Sequence, residues 1–111
     1  KLMKIKKFLL ILLLSSTFTF QTLLADEAKM IKGLEIFNET AACAACHVLK
    51  AAGSEGNIGP NLDTVEGLSY DTVMDIVTHG LGVMPAFGED EILTKDQIDI
   101  VSFYVSRSVG K

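Results

Sequence analysis

Two cysteines and a histidine lie within five residues of one another. Cys43, Cys46 and His47 spell C-A-A-C-H, and no other cysteine occurs in the 111-residue chain. This spacing is the signature of covalent haem attachment, in which both thiols add to haem vinyl groups and the histidine binds the iron. A dithiol redox pair is one alternative, but it is typical of a βαβ context that this sequence lacks. A zinc site is another, and it would need a second ligand pair, whereas His79 is the only other histidine.

The first 25 residues have the order of a secretory signal peptide. Four lysines come first, an apolar run follows over residues 8–20, and small residues lead to Ala25. The run is shorter than the ~20 apolar residues that cross a bilayer, although an uncleaved membrane anchor is the alternative. We predict cleavage after Ala25, or else after Ala28, and a mature domain of residues 26–111. Membrane contact is expected only if this segment is retained.

Charge and size also constrain the mature domain. Residues 26–111 contain six basic and 14 acidic side chains, which gives a formal net charge of −8. An acidic surface repels phosphate, which argues against nucleic acid as a partner and suits a partner with a basic docking face. The simpler alternative is that the acidic residues only keep an exported protein soluble. So short a domain has little core of its own and usually needs a disulfide, a metal or a large bound group to stabilise it. A large apolar haem would be such a group.

The first mature helix is predicted over residues 26–42. Met30, Leu34 and Phe37 recur at i, i+4 and i+7, which places them on one face. Gly33 costs about 1 kcal/mol inside a helix. Either another helix crosses closely there, or the glycine merely loosens the first turns.

Two further helices follow from their capping residues. Ser69 can cap a helix over residues 70–78. Thr94 opens the last helix with a capping box that is completed by Gln97. No segment alternates as a strand does. The predicted class is therefore all-α, with three to four short helices whose long loops would be explained by a central cofactor.

A second axial ligand must come from outside the motif. Met84 lies in a glycine-bounded loop beside Pro85, and a thioether stabilises reduced haem iron. Met30 belongs to the apolar stripe of the first helix, Met74 lies on a regular helix, and His79 ends that helix as a polar residue. Met84 is therefore the predicted distal ligand.

Pro60 is a candidate support for the histidine. Haem-ligating histidines usually donate their free ring N–H to a carbonyl or carboxylate, which orients the ring. Pro60 fixes its own φ and keeps its carbonyl. The residues alone leave open whether it supports His47 or only forms a rigid turn.

The ordered set of motifs resembles the small monohaem class I cytochromes c, the short soluble carriers of bacteria, cyanobacteria and algae. The resemblance covers essentially the whole mature chain. It rests on four features in sequence order, namely Cys43-Ala44-Ala45-Cys46-His47, Gly59-Pro60-Asn61-Leu62, Val83-Met84-Pro85-Ala86-Phe87 and the last helix with Tyr104. The absence of tryptophan departs mildly from some relatives.

The resemblance implies a role for each matched residue. The two cysteines would bind one haem c covalently, His47 would be the proximal ligand, the Pro60 carbonyl would support it, and Met84 would be distal. The first and last helices would cross where Gly33 and Phe37 meet Tyr104.

Two filled axial positions favour outer-sphere electron transfer over catalysis. The expectation is a monomeric single-electron carrier and not an enzyme, located in the periplasm or a compartment like the thylakoid lumen. It would have transient redox protein partners and no small-molecule substrate, and it would dock through small apolar residues around Val83, Pro85 and Ala86. The alternatives are a haem subunit of a larger oxidase or sulfur-oxidising complex, or a peroxidase-type enzyme with a labile distal position.

Overall fold

Three α-helices form the scaffold of the computed structural model, which describes residues 1–11 and 19–111. They are α1 (Leu2–Glu35), α2 (Tyr70–His79) and α3 (Lys95–Ser108). A π-helical turn (Ile36–Thr40) continues α1, and 3-10 turns lie at Cys43–Ala45 and Lys50–Ala52. The predicted all-α class is confirmed. Among the described residues, no helix combines the length and apolar character needed to cross a bilayer.

The first helix begins far earlier than predicted. It starts at Leu2 instead of Asp26 and continues through the proposed cleavage point without a break. Its helical run ends at Thr40, two residues before the predicted end, because Ala42 adopts the left-handed region with φ 52°. Cleavage after Ala25 stays a prediction.

The capping predictions for α2 and α3 are confirmed. The Ser69 hydroxyl accepts a hydrogen bond from the Thr72 N–H at 3.2 Å. Thr94 and Gln97 exchange both bonds of a capping box, at 3.2 and 2.9 Å. These bonds satisfy N–H groups that a helix start otherwise leaves unpaired.

The prediction of no strand is wrong at one place. Two-residue strands β1 (Val48–Leu49) and β2 (Ser54–Glu55) pair antiparallel directly after the haem motif. The buried Ser54 hydroxyl accepts a hydrogen bond from the Leu49 N–H at 2.9 Å. Strands of two residues are too short to show an alternating pattern.

The core forms where α1 crosses α3, and the close-crossing interpretation of Gly33 is confirmed. A Cβ at Gly33 would lie 2.3 Å from the Tyr104 Cβ, so the two helices touch there. The rings of Phe37 and Tyr104 pack with centroids 6.1 Å apart. Leu34, which was predicted on the buried face, is exposed. The inner face runs through Met30 and Gly33 of α1 and continues to Phe37 in the π-helical turn. The buried apolar core consists of Ile36, Phe37, Leu49, Val73, Val77, Phe87, Leu93, Ile98, Val101, Tyr104 and Val105.

Asp99 of α3 connects all three helices. Its carboxylate forms an ion pair with Lys29 of α1 at 2.6 Å and accepts a hydrogen bond from the Tyr70 hydroxyl of α2. The Lys29 hydrogen bond holds the pKa of Asp99 below its ordinary value. The hydrogen bond to Asp99 raises the pKa of Tyr70 to about 12, because the carboxylate favours the neutral phenol.

We predict that Gly33→Ala lowers the free energy of unfolding by about 2 kcal/mol. The gain in helix propensity is outweighed because the new methyl group would overlap the Tyr104 side chain. Chemical denaturation measures the change. Ile31→Ala, at an exposed position of the same helix, is the matched control and should stay within about 0.5 kcal/mol. An unchanged stability in Gly33→Ala would contradict the close crossing.

We also predict that Tyr70 titrates near pH 12, and that Asp99→Asn returns its pKa toward 10. Because the pKa is raised in the folded state, this contact stabilises the fold below pH 10 and loses its effect as the pH rises toward 12. The pKa of Asp99 is lowered in the folded state, so the pH dependence runs the other way. The stabilisation from its ionised form is lost as the pH falls below about 4.

Carbon-13 NMR of the tyrosine rings measures this titration directly. Tyr104 is an internal control, because burial and not Asp99 raises its pKa. Titration of Tyr70 at pH 10 in the unmodified protein would refute the contact.

Candidate haem-binding site

The haem motif is wound into one tight turn. The N–H groups of Cys46 and His47 both donate to the Cys43 carbonyl, at 3.1 and 3.0 Å. Ala42 precedes the turn in the left-handed region and so separates it from the helical run of α1. The turn brings both thiols and the imidazole into one short segment.

Both thiols are free, and their surroundings differ. Neither cysteine forms a disulfide, and each is partly exposed. Cys43 packs against the core, and burial raises the pKa of its thiol to about 11. At neutral pH the Cys43 side chain is therefore a neutral thiol beside an apolar surface.

The His47 ring is fixed by the segment that contains Pro60. Its Nδ1–H donates to the Pro60 carbonyl oxygen at 2.8 Å, which leaves Nε2 as the ring nitrogen available to a metal. The Gly59 N–H donates to the Cys46 carbonyl at 2.7 Å, so this segment lies directly along the motif. The geometry fits an imidazole that is oriented for iron, and the role of Pro60 as support for an iron ligand stays a prediction.

Two glycines, Gly56 and Gly59, are essential to this packing, and neither close approach was predicted from the sequence. A Cβ at Gly59 would lie 2.5 Å from the His47 Cε1, and one at Gly56 would lie 2.6 Å from the Ala44 carbonyl oxygen. Both positions need the absence of a side chain and not a special φ. The only sequence signal for this close packing was a group of glycines soon after the alanine-rich haem motif.

Met84 lies in a closed turn at the C-terminal end of α2. Leu81 and Met84 exchange backbone hydrogen bonds, at 3.0 and 3.3 Å, and Gly82 between them has φ 59°. Gly80 ends α2, and a Cβ there would lie 2.7 Å from the Met84 carbonyl oxygen. The Met84 side chain is half-buried and packs against the core.

The other candidate ligands lie elsewhere. Met30 and Met74 are half-buried against the core on α1 and α2. His79 is exposed, and its Nδ1–H donates to Glu89 at 2.6 Å. The structure therefore gathers the motif and Pro60 into one unit and holds Met84 in a separate, well-defined turn.

The residues present fit a haem c. The donor set combines two free thiols at the C-x-x-C spacing with an imidazole that has one nitrogen held and the other free. Alanines flank both cysteines, and small side chains allow a flat ring close to the backbone.

Comparison with known proteins identifies the family. Residues 28–105 match the family described as cytochrome c oxidase, cbb3-type, subunit III, and the chain belongs to this family. A curated relative, the cbb3-type cytochrome c oxidase subunit CcoP of Azospirillum sp. (strain B510), is 40% identical over 98 residues. That match covers 74% of this chain but only 31% of the relative, so the chain spans about a third of its length.

A solved structure shares the fold. The c-type cytochrome SorU from Sinorhizobium meliloti is similar at 44% sequence identity with a TM-score of 0.69. The similarity covers 77% of this chain and 95% of that protein. The resemblance to a small class I cytochrome c is confirmed in family and fold, and the same comparisons imply a covalently bound haem c. The individual ligand assignments stay predictions.

We predict that Gly59→Ala reduces haem incorporation and leaves the orientation of the His47 ring less well fixed. The added methyl group would overlap the imidazole ring, which the Pro60 carbonyl holds through Nδ1. The haem-to-protein ratio and the optical spectrum of the exported protein measure the effect. Asn57→Ala, an exposed position in the same loop, is the control and should match the unmodified protein. Equal haem content in both variants would contradict the contact.

Proposed function

We propose that this protein is a periplasmic single-electron carrier whose haem is held by Cys43 and Cys46 and ligated by His47 and Met84. The observation that carries the proposal is the hydrogen bond from His47 Nδ1–H to the Pro60 carbonyl, which presets the ring and frees Nε2. The rigid turn around Met84 supports the second ligand, because a ligand on a closed turn needs little reorganisation.

Each residue contributes to the redox behaviour in a distinct way. When bound, haem c supplies an iron that takes up and returns one electron. The Pro60 carbonyl makes Nε2 of His47 a stronger donor, and the Met84 thioether favours the reduced state. Two protein ligands leave no position for a substrate, so the proposed reaction is outer-sphere transfer and not catalysis.

Partner contact is proposed to occur through exposed apolar side chains on the two loops that carry Pro60 and Met84. Ile58 is 70% exposed, Leu81 is 68% exposed and Val83 is 91% exposed. The acidic surface suits a transient partner with a basic docking face, and no nucleic acid or small-molecule substrate is proposed.

A haem subunit of a larger complex is the second candidate. The match to an oxidase subunit supports it, although this chain spans only about a third of that relative. Co-purification with a stable partner at physiological salt would favour the subunit, whereas a monomer that exchanges electrons freely would favour the carrier.

Export is proposed to depend on residues 1–25. Cleavage after Ala25 would begin the mature α1 at Asp26, close to its contact with α3 through Lys29. Mass spectrometry of the exported protein would identify the first residue, and a retained N-terminal segment would indicate an anchor instead.

We predict that Met84→Ala abolishes the weak far-red absorption band of methionine bound to ferric iron and lowers the reduction potential. Met74→Ala is the matched control and should keep both, because Met74 packs against the core on α2. Rapid carbon monoxide binding to the unmodified reduced protein at neutral pH would instead indicate a labile distal position and favour an enzyme. A far-red band that survives in Met84→Ala would overturn the ligand assignment.

A further inference from the structure

The loop that carries Met84 leaves and rejoins the protein at one place, the last turn of α2. The chain departs after His79 and has returned by Gly88. The N–H groups of Gly88 and Glu89 both donate to the Thr78 carbonyl, at 3.2 and 3.1 Å. The neck of loop 80–88 is therefore closed by backbone bonds that share a single acceptor.

A histidine and a glutamate lie across the same neck. The His79 Nδ1–H donates to Glu89 Oε1 at 2.6 Å, and Asp75 Oδ1 lies 3.6 Å from His79 Nε2. Lys95 at the start of α3 lines a groove together with Glu89. His79 directly follows Thr78, whose carbonyl accepts the neck bonds, and Glu89 donates one of those bonds. The side-chain pair therefore links the two ends of the loop.

Opening of the neck would displace Met84 together with its turn. The turn is closed internally by the paired Leu81 and Met84 backbones, and it packs against Gly80 too closely for a side chain there. The neck is therefore one of the contacts that position Met84, together with the burial of Phe87 and the packing of Met84 against the core.

We propose that His79 and Glu89 are positioning residues for Met84, because their ion pair closes the neck of loop 80–88 and would hold the thioether in place for the iron. This inference rests on the proposed function, which makes Met84 the distal ligand. Neither side chain touches the reacting atoms, so both act through the loop.

The sign of the pH dependence follows from the partners of His79. Glu89 first, and Asp75 in addition, raise the pKa of His79 above its ordinary value of 6.5. A raised pKa means that the pair contributes fully below pH 6.5 and is lost as the pH rises through the folded-state value. The loop should therefore open more readily at alkaline pH.

The test is the rate at which imidazole replaces Met84 on the ferric holoprotein. The rate is measured from pH 5.5 to 9 at a constant concentration of neutral imidazole. We expect a rise of roughly two- to fivefold for the unmodified protein, as suits an exposed ion pair. Glu89→Gln and His79→Gln should each show, at every pH, the rate that the unmodified protein reaches only at alkaline pH. Asp75→Asn is the matched control: its rate should still rise with pH, with the rise displaced to lower pH, because the pair across the neck stays intact while one cause of the raised His79 pKa is removed.

The possible outcomes separate this inference from the proposed function. A flat profile in the unmodified protein, or the unmodified rate and profile in both glutamine variants, overturns the positioning role. If the far-red band is still lost in Met84→Ala, the proposed function survives that result. A band that persists in Met84→Ala removes Met84 as ligand and this inference with it.

Discussion

The close crossing of α1 and α3 at Gly33 is the contact on which the rest of the molecule depends. Because Gly33 has no side chain, Tyr104 lies directly against the backbone of α1, and Phe37 packs on its ring. The haem motif begins three residues after Thr40, where the π-helical turn that continues α1 ends. The position of the Cys43 turn relative to the core is therefore set by this crossing.

Close backbone approach recurs around the proposed cofactor site. Gly56 and Gly59 let one loop lie against the motif, and Gly80 lets the Met84 turn lie against the end of α2. A domain this small cannot rely on a thick apolar core, so it brings backbone segments near the site instead. A side chain at any of these positions would displace an element that carries a proposed ligand or its support.

The sequence predicted those features whose cause is local. The cap at Ser69, the box at Thr94 and the haem motif each depend on residues within four positions of one another, and family comparison confirms the cofactor and fold. The features that were missed depend on distant contacts or on very short elements. The strands of two residues show no periodicity, and Leu34 is exposed because Gly33 and not Leu34 faces α3. The ligand roles of His47 and Met84 stay predictions.

The central proposal is that His47 and Met84 would both bind the haem iron. Proton NMR of the reduced holoprotein with selectively labelled methionine methyl groups tests it most directly. The ring current of the haem should shift one methyl resonance far upfield, and that resonance should be absent in Met84→Leu. An upfield resonance that belongs to Met30 or Met74, or no upfield methionine resonance at all, would contradict the account.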